Sequence, residues 1–503
     1  MDGIKAVLNN LIGLTYIVVA SVMVAVCLLR PQHNLIPLQL FIGIAFAIVF
    51  FTVLYRVLSL CLQKSGSVFS DRLFVSLAVL WGVVLICAGV FCRNSTVSFL
   101  DYEICYRAAT EFAQNMPLSE AAYFSVNPHN WKCVLVLAFA MKAGYAIGLD
   151  DPYYLLLILN VILIESTLFS CRYLLKTFFD DTRTSFMLIV MFGSCLPLYA
   201  LSQSFYTDSL SFGYSVIGIS LLHYAFVRLD KKPVKAACLM LSGILMCFGY
   251  TMKVTSFICV IAFLICFMLK SDNVKLCKKH IYSFALVALG FVFIWTLLEK
   301  ASMNYEWYRV KDKYSEPTIS YIALGMKADG TYYGNREFRI ALDEITDSAE
   351  KAEFTKTYIL ENISEFWNAD HIIAKMRANY ASGNLGAEDF AKYPYSGDNV
   401  LSRLFNYDRD LYWYGCKYDM IWLFQIYFVT IIGAALSLFK KIKTADLLMR
   451  AYELTFLGYF IFLFFWEANN RQLFNMIPML IIGYVISLEY IYKLWKRSDV
   501  SAE

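Results

Sequence analysis

Charged residues are scarce in this chain. Asp, Glu, Lys and Arg together make up 17% of its 503 residues, against roughly a quarter in an ordinary soluble domain. Neither sign is in large excess, since 44 basic and 40 acidic side chains leave a formal charge of +4. That excludes the basic footprint of a nucleic-acid binder. Internal repeats, heptads and low-complexity tracts are missing, and the missing repeat argues against transporters built from inverted halves. The 14 cysteines include no CxxC pair and no Cys/His ligand spacing, so neither a zinc site nor a disulfide framework is indicated. Most sit inside apolar runs, as Cys27, Cys171 and Cys259 do, where a thiol behaves as a small hydrophobe.

What the chain has is apolar length. Hydrophobic residues are 59% and aromatics 17% of it, and the mean hydropathy is +0.55, which excludes a disordered protein. Apolar segments recur at about 10–29, 35–62, 73–91, 130–148, 152–172, 185–203, 209–227, 234–251, 254–270, 281–298, 419–439, 446–466 and 472–492. Each is near the ~20 residues that span a bilayer as a helix. The first has no small-residue cleavage site and runs straight into the second, so it reads as an anchor. The expected fold is an all-α polytopic membrane protein with about twelve crossings.

Basic short loops face the cytoplasm. Arg228 to Lys235, Lys270 to Lys279, Lys440 to Arg450 and the tail with Lys493, Lys496 and Arg497 set one side. The turn at Tyr206-Thr207-Asp208, the polar stretch 299–418 and the turn from Glu467 to Arg471 then fall on the other side. Lys5, Lys64 and Arg72 place the 92–129 loop outside as well. Two apolar segments, 130–148 and 152–172, lie where an odd number of crossings is required, so one of them should lie in the interface. The division expected is a membrane domain over 1–298 with outer loop 92–129, an extracytoplasmic region over 299–418, and C-terminal helices with a cytoplasmic tail over 419–503. The 299–418 region holds 19 of the 40 acids and 15 of the 44 bases.

Polar groups at membrane depth are costly, so each one asks for a reason. Asp101 and Glu103 follow the third apolar run. In an extended strand they point the same way, and on a helix they diverge. As a pair they could hold a divalent cation or remove a proton from a hydroxyl, or they are ordinary loop acids. Asn127-Pro128-His129-Asn130-Trp131 opens the next segment and reads either as a helix cap or as a sugar-binding surface of amides and an indole. Asp208 is either a helix N-cap or a functional carboxylate on the face that carries Asp101. Lys253, between two long apolar runs, either snorkels or meets a phosphate. Glu467 and Arg471 either pair with each other or leave the guanidinium for a phosphate. Lys142 and Glu165 lie within apolar runs and could pair with each other.

These residues resemble the motifs of integral-membrane glycosyltransferases of the GT-C fold class, similar to glycosyltransferase family 39 and its Gram-positive bacterial relatives. The acidic outer loop is matched by Asp101 with Glu103, the Pro-Asn/His turn by Asn127-Pro128-His129-Asn130, and the aromatic-Thr-Asp turn by Tyr206-Thr207-Asp208. A Lys-Pro-Thr-like step is matched by Lys253-Val254-Thr255, with valine for proline. The late Glu…Arg turn before a proline-containing helix is matched by Glu467, Arg471 and Pro478, with Gln472-Leu473 where Arg-Tyr is usual. Leu324-Gly325-Met326 through Tyr332-Tyr333-Gly334 resembles a further outer segment, and the likeness runs from about 95 to 490.

The resemblance implies an inverting transfer of sugar from a polyprenyl-phosphate donor, on the extracytoplasmic side of the cell membrane. Asp101 would be the general base, assisted by Glu103. Asp208 would stand near the acceptor or a cation, and Lys253 and Arg471 would neutralise the leaving phosphate. His129, Asn130, Tyr206 and Glu467 would contact sugar. If a metal takes part, Mg2+ or Mn2+ would lie on Asp101, Glu103 and Asp208; the sequence leaves metal dependence open. The acceptor would be a glycan, a glycolipid or a protein. Other readings of the same sequence are a transporter or flippase of a lipid-linked glycan, a glycan polymerase or ligase, and a non-catalytic membrane subunit.

Overall fold

A computed structural model describes residues 2–31, 36–62, 67–93, 101–179, 182–270, 274–388, 399–406, 408–439 and 446–500. Lys64 and the Lys440 to Lys443 part of one basic loop lie outside them. Among the described residues every regular element is helical, as backbone in hydrocarbon requires, because only a helix or a closed barrel satisfies its own N–H and C=O groups there.

The chain opens with α1 (Asp2–Leu29), α2 (Pro37–Leu62) and α3 (Ser67–Phe91). Next come α4 (Asp101–Ala113), the short α5 (Ala121–Val126), α6 (Pro128–Ala146) and α7 (Tyr153–Phe178). They are followed by α8 (Thr182–Gly193), α9 (Leu196–Leu201), α10 (Thr207–Ser211), α11 (Tyr214–Arg228) and α12 (Lys232–Met252). A 3-10 turn at Val254–Phe257 leads into α13 (Ile258–Lys270), and α14 (Val274–Ser302) ends the first half. Shorter helices follow between Glu306 and Tyr380 and at Val400–Phe405. Three long ones, Tyr412–Phe439, Asp446–Phe465 and Ile477–Val500, complete the chain.

Among the described residues ten helices are long and apolar enough to cross a membrane, and the apolar helices Thr182–Gly193 and Val254–Leu269 are shorter. Ion pairs between helix ends sort them by surface. On one surface Asp71, early in α3, pairs with Arg172 and Lys176, late in α7. Arg183 of α8 likewise meets Glu489 of the last helix at 3.2 Å. On the other surface Arg93, just past α3, pairs with Asp151, just before α7, at 2.6 Å. Asp208 of α10 pairs there with Lys253, which follows α12. Alternation then makes α8 with α9, and α13 with its 3-10 turn, the two short crossings. The total is twelve.

The segment 130–148 is the one that does not cross. Both ends of α6 lie at the Arg93–Asp151 surface, and α4 packs along it. Thr110 Oγ1 donates to Met141 Sδ at 3.7 Å, and Gln114 Nε2 to the Tyr145 hydroxyl at 3.0 Å. The match is sequence-encoded, since Cys105, Ala108, Ala109 and Ala113 form a buried stripe at helical spacing on α4. Lys142 points to the Phe112 ring, 4.7 Å away, and so does not pair with Glu165. Glu165 instead packs against Gly82 of α3, and both its oxygens are buried without a hydrogen-bond partner.

Helices α12 and α14 cross in backbone contact. A Cβ on Gly243 would collide with the Val287 carbonyl, and one on Gly290 with the Met240 carbonyl. Small residues at such a crossing let two helices in lipid approach closely. The 303–411 helices are tied to the membrane helices: Arg377 donates to the Pro31 carbonyl at 3.2 Å and Asn379 to the Leu463 carbonyl at 3.4 Å. Asp347 and Asn368 start two of these helices by accepting from the first-turn N–H groups of Ala349, Glu350 and Asp370.

Candidate functional site

At the surface that carries Asp208, α6, α10, α12, α14, parts of 303–411 and the turn before the last helix enclose a cavity of ≈ 700 Å³. His129, Lys132, Tyr206, Lys253, Lys311, Asp312, Glu316, Glu467 and Gln472 line it. Tyr250 and Trp295 line it too, and the same two rings wall an apolar groove of ≈ 630 Å³ formed by α11 to α14. Ile219, Met246, Phe263, Val287 and Phe291 are among the groove's other walls.

The polar centre is built around α10. Tyr206 takes the N-cap position and its backbone N–H donates to the Ser209 hydroxyl at 3.3 Å, so Asp208 is not a cap. Its carboxylate is fully buried and binds two cations: the Lys253 ammonium and Arg471 Nε, the latter at 3.2 Å. Lys253 therefore does not snorkel, and Arg471 is drawn to a carboxylate beyond its own turn. Lys253 reaches Asp208 from extended backbone between α12 and the 3-10 turn. Arg471 is braced from behind by Gly386, whose φ of +87° and position leave no room for a side chain; a Cβ there would lie 2.5 Å from Arg471 Cγ.

Tyr206 connects this centre to Asp101. Its ring lies 5.6 Å from the Arg471 guanidinium, and its hydroxyl is 3.2 Å from Asn130 Oδ1 and 3.5 Å from Asp101 Oδ2. Asn130 in turn donates to the Tyr123 hydroxyl at 2.6 Å, so it orients Tyr206 from a buried position away from the cavity wall. Asp101 is exposed at the first turn of α4, whereas Asp208 and Arg471 also stand behind the lining residues. His129 is the opposite case: deep in the protein yet open to the cavity. Burial pushes its imidazole pKa down, while Asp101 and Glu316 pull it up.

The three carboxylates proposed for a metal do not form a site. Asp101 and Glu103 share the first turn of α4, and two helical steps turn their side chains about 200° apart. Asp208 is already held by two cations. Among the described residues no group of three or more His, Cys, Asp or Glu side chains is placed to hold a metal ion.

A second charged centre went unread in the sequence. Glu299, near the end of α14, takes Lys132 at 3.0 Å and Lys311 at 2.6 Å, and accepts from the Tyr308 hydroxyl at 2.9 Å. The Lys132 ammonium also sits 4.0 Å over the Trp295 ring. Burial works against the charge on Lys311, but its interactions with Glu299 and Tyr308 together outweigh that and hold its pKa above the usual lysine value. The available signal was weak: Trp295 and Glu299 are four residues apart on one helix face.

Glu467 belongs to a turn clasped by the 303–411 helices. Trp466 stacks on Tyr321 at 5.3 Å, the Ala468 N–H donates to the Gly330 carbonyl at 2.7 Å, and the Asn469 N–H donates to Asn379 at 2.9 Å. Nearby, the buried Lys375 ammonium donates to the Gly325 carbonyl at 2.6 Å. Burial pushes Lys375 down from 10.5 to about 7, against the pull of Glu467. Between those two values the folded protein holds fewer protons than the unfolded chain, so stability should rise with pH across that window. Thermal melting in detergent from neutral to alkaline pH should show the rise, and Lys375→Met should flatten it; an equal slope in the variant would contradict the assignment.

Sequence comparison settles the family. A model described as conserved hypothetical integral membrane protein matches residues 11–492. The chain belongs to that family of integral membrane proteins. No curated protein matches it in sequence. In three dimensions the chain is similar to the Archaeoglobus fulgidus oligosaccharyltransferase in the apo form, with 11% identity and a TM-score of 0.44 over 87% of this chain and 53% of that one. It is likewise similar to AglB from Archaeoglobus fulgidus in complex with an inhibitory peptide and a dolichol-phosphate: 12% identity, TM-score 0.45, covering 86% and 52%. The chain spans about half the length of these solved chains.

Proposed function

We propose that this protein is a GT-C-type membrane glycosyltransferase that moves a sugar from a polyprenyl-phosphate donor to an acceptor at the extracytoplasmic surface. The observation that carries the reading is the adjacency of two spaces with opposite chemistry. A charged cavity at one membrane surface shares Tyr250 and Trp295 as walls with an apolar groove between membrane helices. A prenyl-linked sugar has that same division, with a hydrocarbon tail at one end and a phosphate and polar ring at the other. A soluble sugar donor would leave the groove unused.

In this reading the acceptor hydroxyl attacks the anomeric carbon, Asp101 takes its proton, and the bond from that carbon to the phosphate oxygen breaks. Inversion follows from the single displacement. The negative charge that grows on the departing phosphate is met by Lys253, with Arg471 behind it on the same carboxylate. Preorganised cations in a partly dry site stabilise such charge more than water does. Asp208 is assigned the holding of these two cations in place of a contact with acceptor. Tyr206 positions Asp101, and His129 and Glu467 face the sugar from the cavity wall. The 92–129 loop of the 1–298 domain supplies the base, and the 299–418 region covers the cavity and selects the acceptor.

The test is transfer in detergent, where transport across a membrane has no meaning. Purified protein given prenyl-linked sugars and an extract of envelope glycans should release free prenyl phosphate and lengthen a glycan, seen by mass spectrometry. No release with any lipid-linked sugar, from protein that melts cooperatively, would refute the reading.

A further inference from the structure

The apolar groove has a floor. One face of α14, with Phe284, Val287, Ala288, Phe291, Val292 and Trp295 at helical spacing, lines it along its depth. Trp295 is shared with the charged cavity, so Phe284 is the deepest of the six. Leu222 of α11 and Phe263 of α13 line the groove as well. One helical turn further from the cavity stand Phe226 and Phe267, and these close on Phe284. The three rings meet pairwise: Phe226 and Phe267 at 6.0 Å, Phe226 and Phe284 at 5.9 Å, Phe267 and Phe284 at 6.0 Å between centroids. His280 adds a fourth ring, edge-on to Phe226 at 4.7 Å. The sequence sets this up locally. Phe226 and Phe267 follow lining residues by four positions and His280 precedes one by four, so each falls on the groove face of its own helix.

The helix also gives the depth. From Phe284 to Trp295 is eleven residues, about 16 Å of α14. An isoprene unit adds four carbon–carbon bonds of about 1.5 Å each, which project to about 5 Å in an extended chain. About three such units therefore reach from mouth to floor. The mouth suits an anionic head on that chain, because Lys132 lies 4.0 Å over the Trp295 ring and shares the Glu299 carboxylate with Lys311.

We infer that the groove gauges the donor's prenyl chain: it holds the isoprene units next to the phosphate, and the floor of Phe226, Phe267 and Phe284 turns the remainder out into the bilayer. The gauge rests on the transferase reading and names the part of the donor that the protein recognises. Apolar burial is non-directional and grows with area, so only a wall can set where the gain from a longer chain stops.

Geranyl, farnesyl and geranylgeranyl phosphates, with two, three and four isoprene units, test this on the full chain in detergent at equal mole fraction in the micelle. Farnesyl phosphate carrying a diazirine on its last unit should crosslink to peptides containing Phe263 or Phe284, read by mass spectrometry. Unlabelled farnesyl phosphate should compete about 10-fold better than geranyl phosphate, because burying one more five-carbon unit is worth at least a tenfold step. Geranylgeranyl phosphate should match farnesyl phosphate within about 2-fold, since its last unit finds no further wall. Phe284→Ala opens the floor and should make geranylgeranyl phosphate the better competitor by about 10-fold. Ala288→Phe fills the groove one turn above the floor and should bring farnesyl phosphate down to the level of geranyl phosphate; Ala288→Leu should act in the same direction if the larger ring prevents folding. Competition that keeps rising from three units to four in the unaltered protein, or that neither variant alters, would overturn the gauge and leave the transferase reading standing. Equal displacement of the label by a diacyl phospholipid would overturn it too, by making the groove a seat for ordinary bilayer lipid. No saturable labelling, from protein that melts cooperatively, would count against the transferase reading as well.

Discussion

Asp101→Asn should lower sugar transfer by about 100-fold or more, the usual worth of a positioned base, with little change in melting temperature. The two halves of that expectation have different causes. The carboxylate is exposed at the first turn of α4, and the Tyr206 hydroxyl at 3.5 Å is farther from it than in a good O–H···O bond. Losing its charge costs the fold only the small attraction to a helix N-terminus, about 0.5 kcal/mol, and asparagine serves well at such a position. Chemistry is another matter, because an amide cannot accept the acceptor's proton. Initial rates of glycan extension, with melting curves from the same preparation, check both halves. Transfer at the unaltered rate would remove Asp101 from the base role.

Asp208→Asn should act in the opposite order, with stability lost first. The carboxylate is fully buried between Lys253 and Arg471, and removing one partner of a buried ion pair costs about 3–5 kcal/mol because the other charge is left uncompensated. Adding Lys253→Met to Asp208→Asn should restore part of the loss, since it removes the ammonium that Asp208 held and replaces it with an apolar chain of similar length. Thermal melting of the single and double variants measures the coupling. A single variant as stable as the parent would show that the triad does not hold α10 to the 3-10 turn and to the turn before the last helix.

Some of the site was legible before folding for a simple reason. A polar residue next to an apolar run is conspicuous, and Asp101, Tyr206, Asp208, Lys253 and Arg471 all stand at such borders. The structure brings these five together through Tyr206 and Asp208. Their neighbours were less visible. Lys132 sits inside an apolar segment that reads as a crossing, and Glu299 falls one residue past one. Only when α6 is seen lying along α4 does Lys132 arrive beside Trp295. Glu103 shows the reverse error: its spacing from Asp101 suits an extended strand, but the residues that follow fold as a helix and turn it away.

The sequence by itself determined that the chain is helical, that it lies in a membrane and that it crosses about twelve times. Hydrocarbon forces backbone polar groups to pair locally, so apolar length translates directly into helices. It also ordered the basic loops, because those charges are read one segment at a time. Only the tertiary structure decided which apolar segment stays at the surface, which cations share which carboxylate, and that a charged cavity adjoins an apolar groove. Those features depend on how helices far apart in the chain cross one another. The direction of a side chain across such a crossing is set by packing, as at Gly243 and Gly290, and no local pattern of residues encodes it.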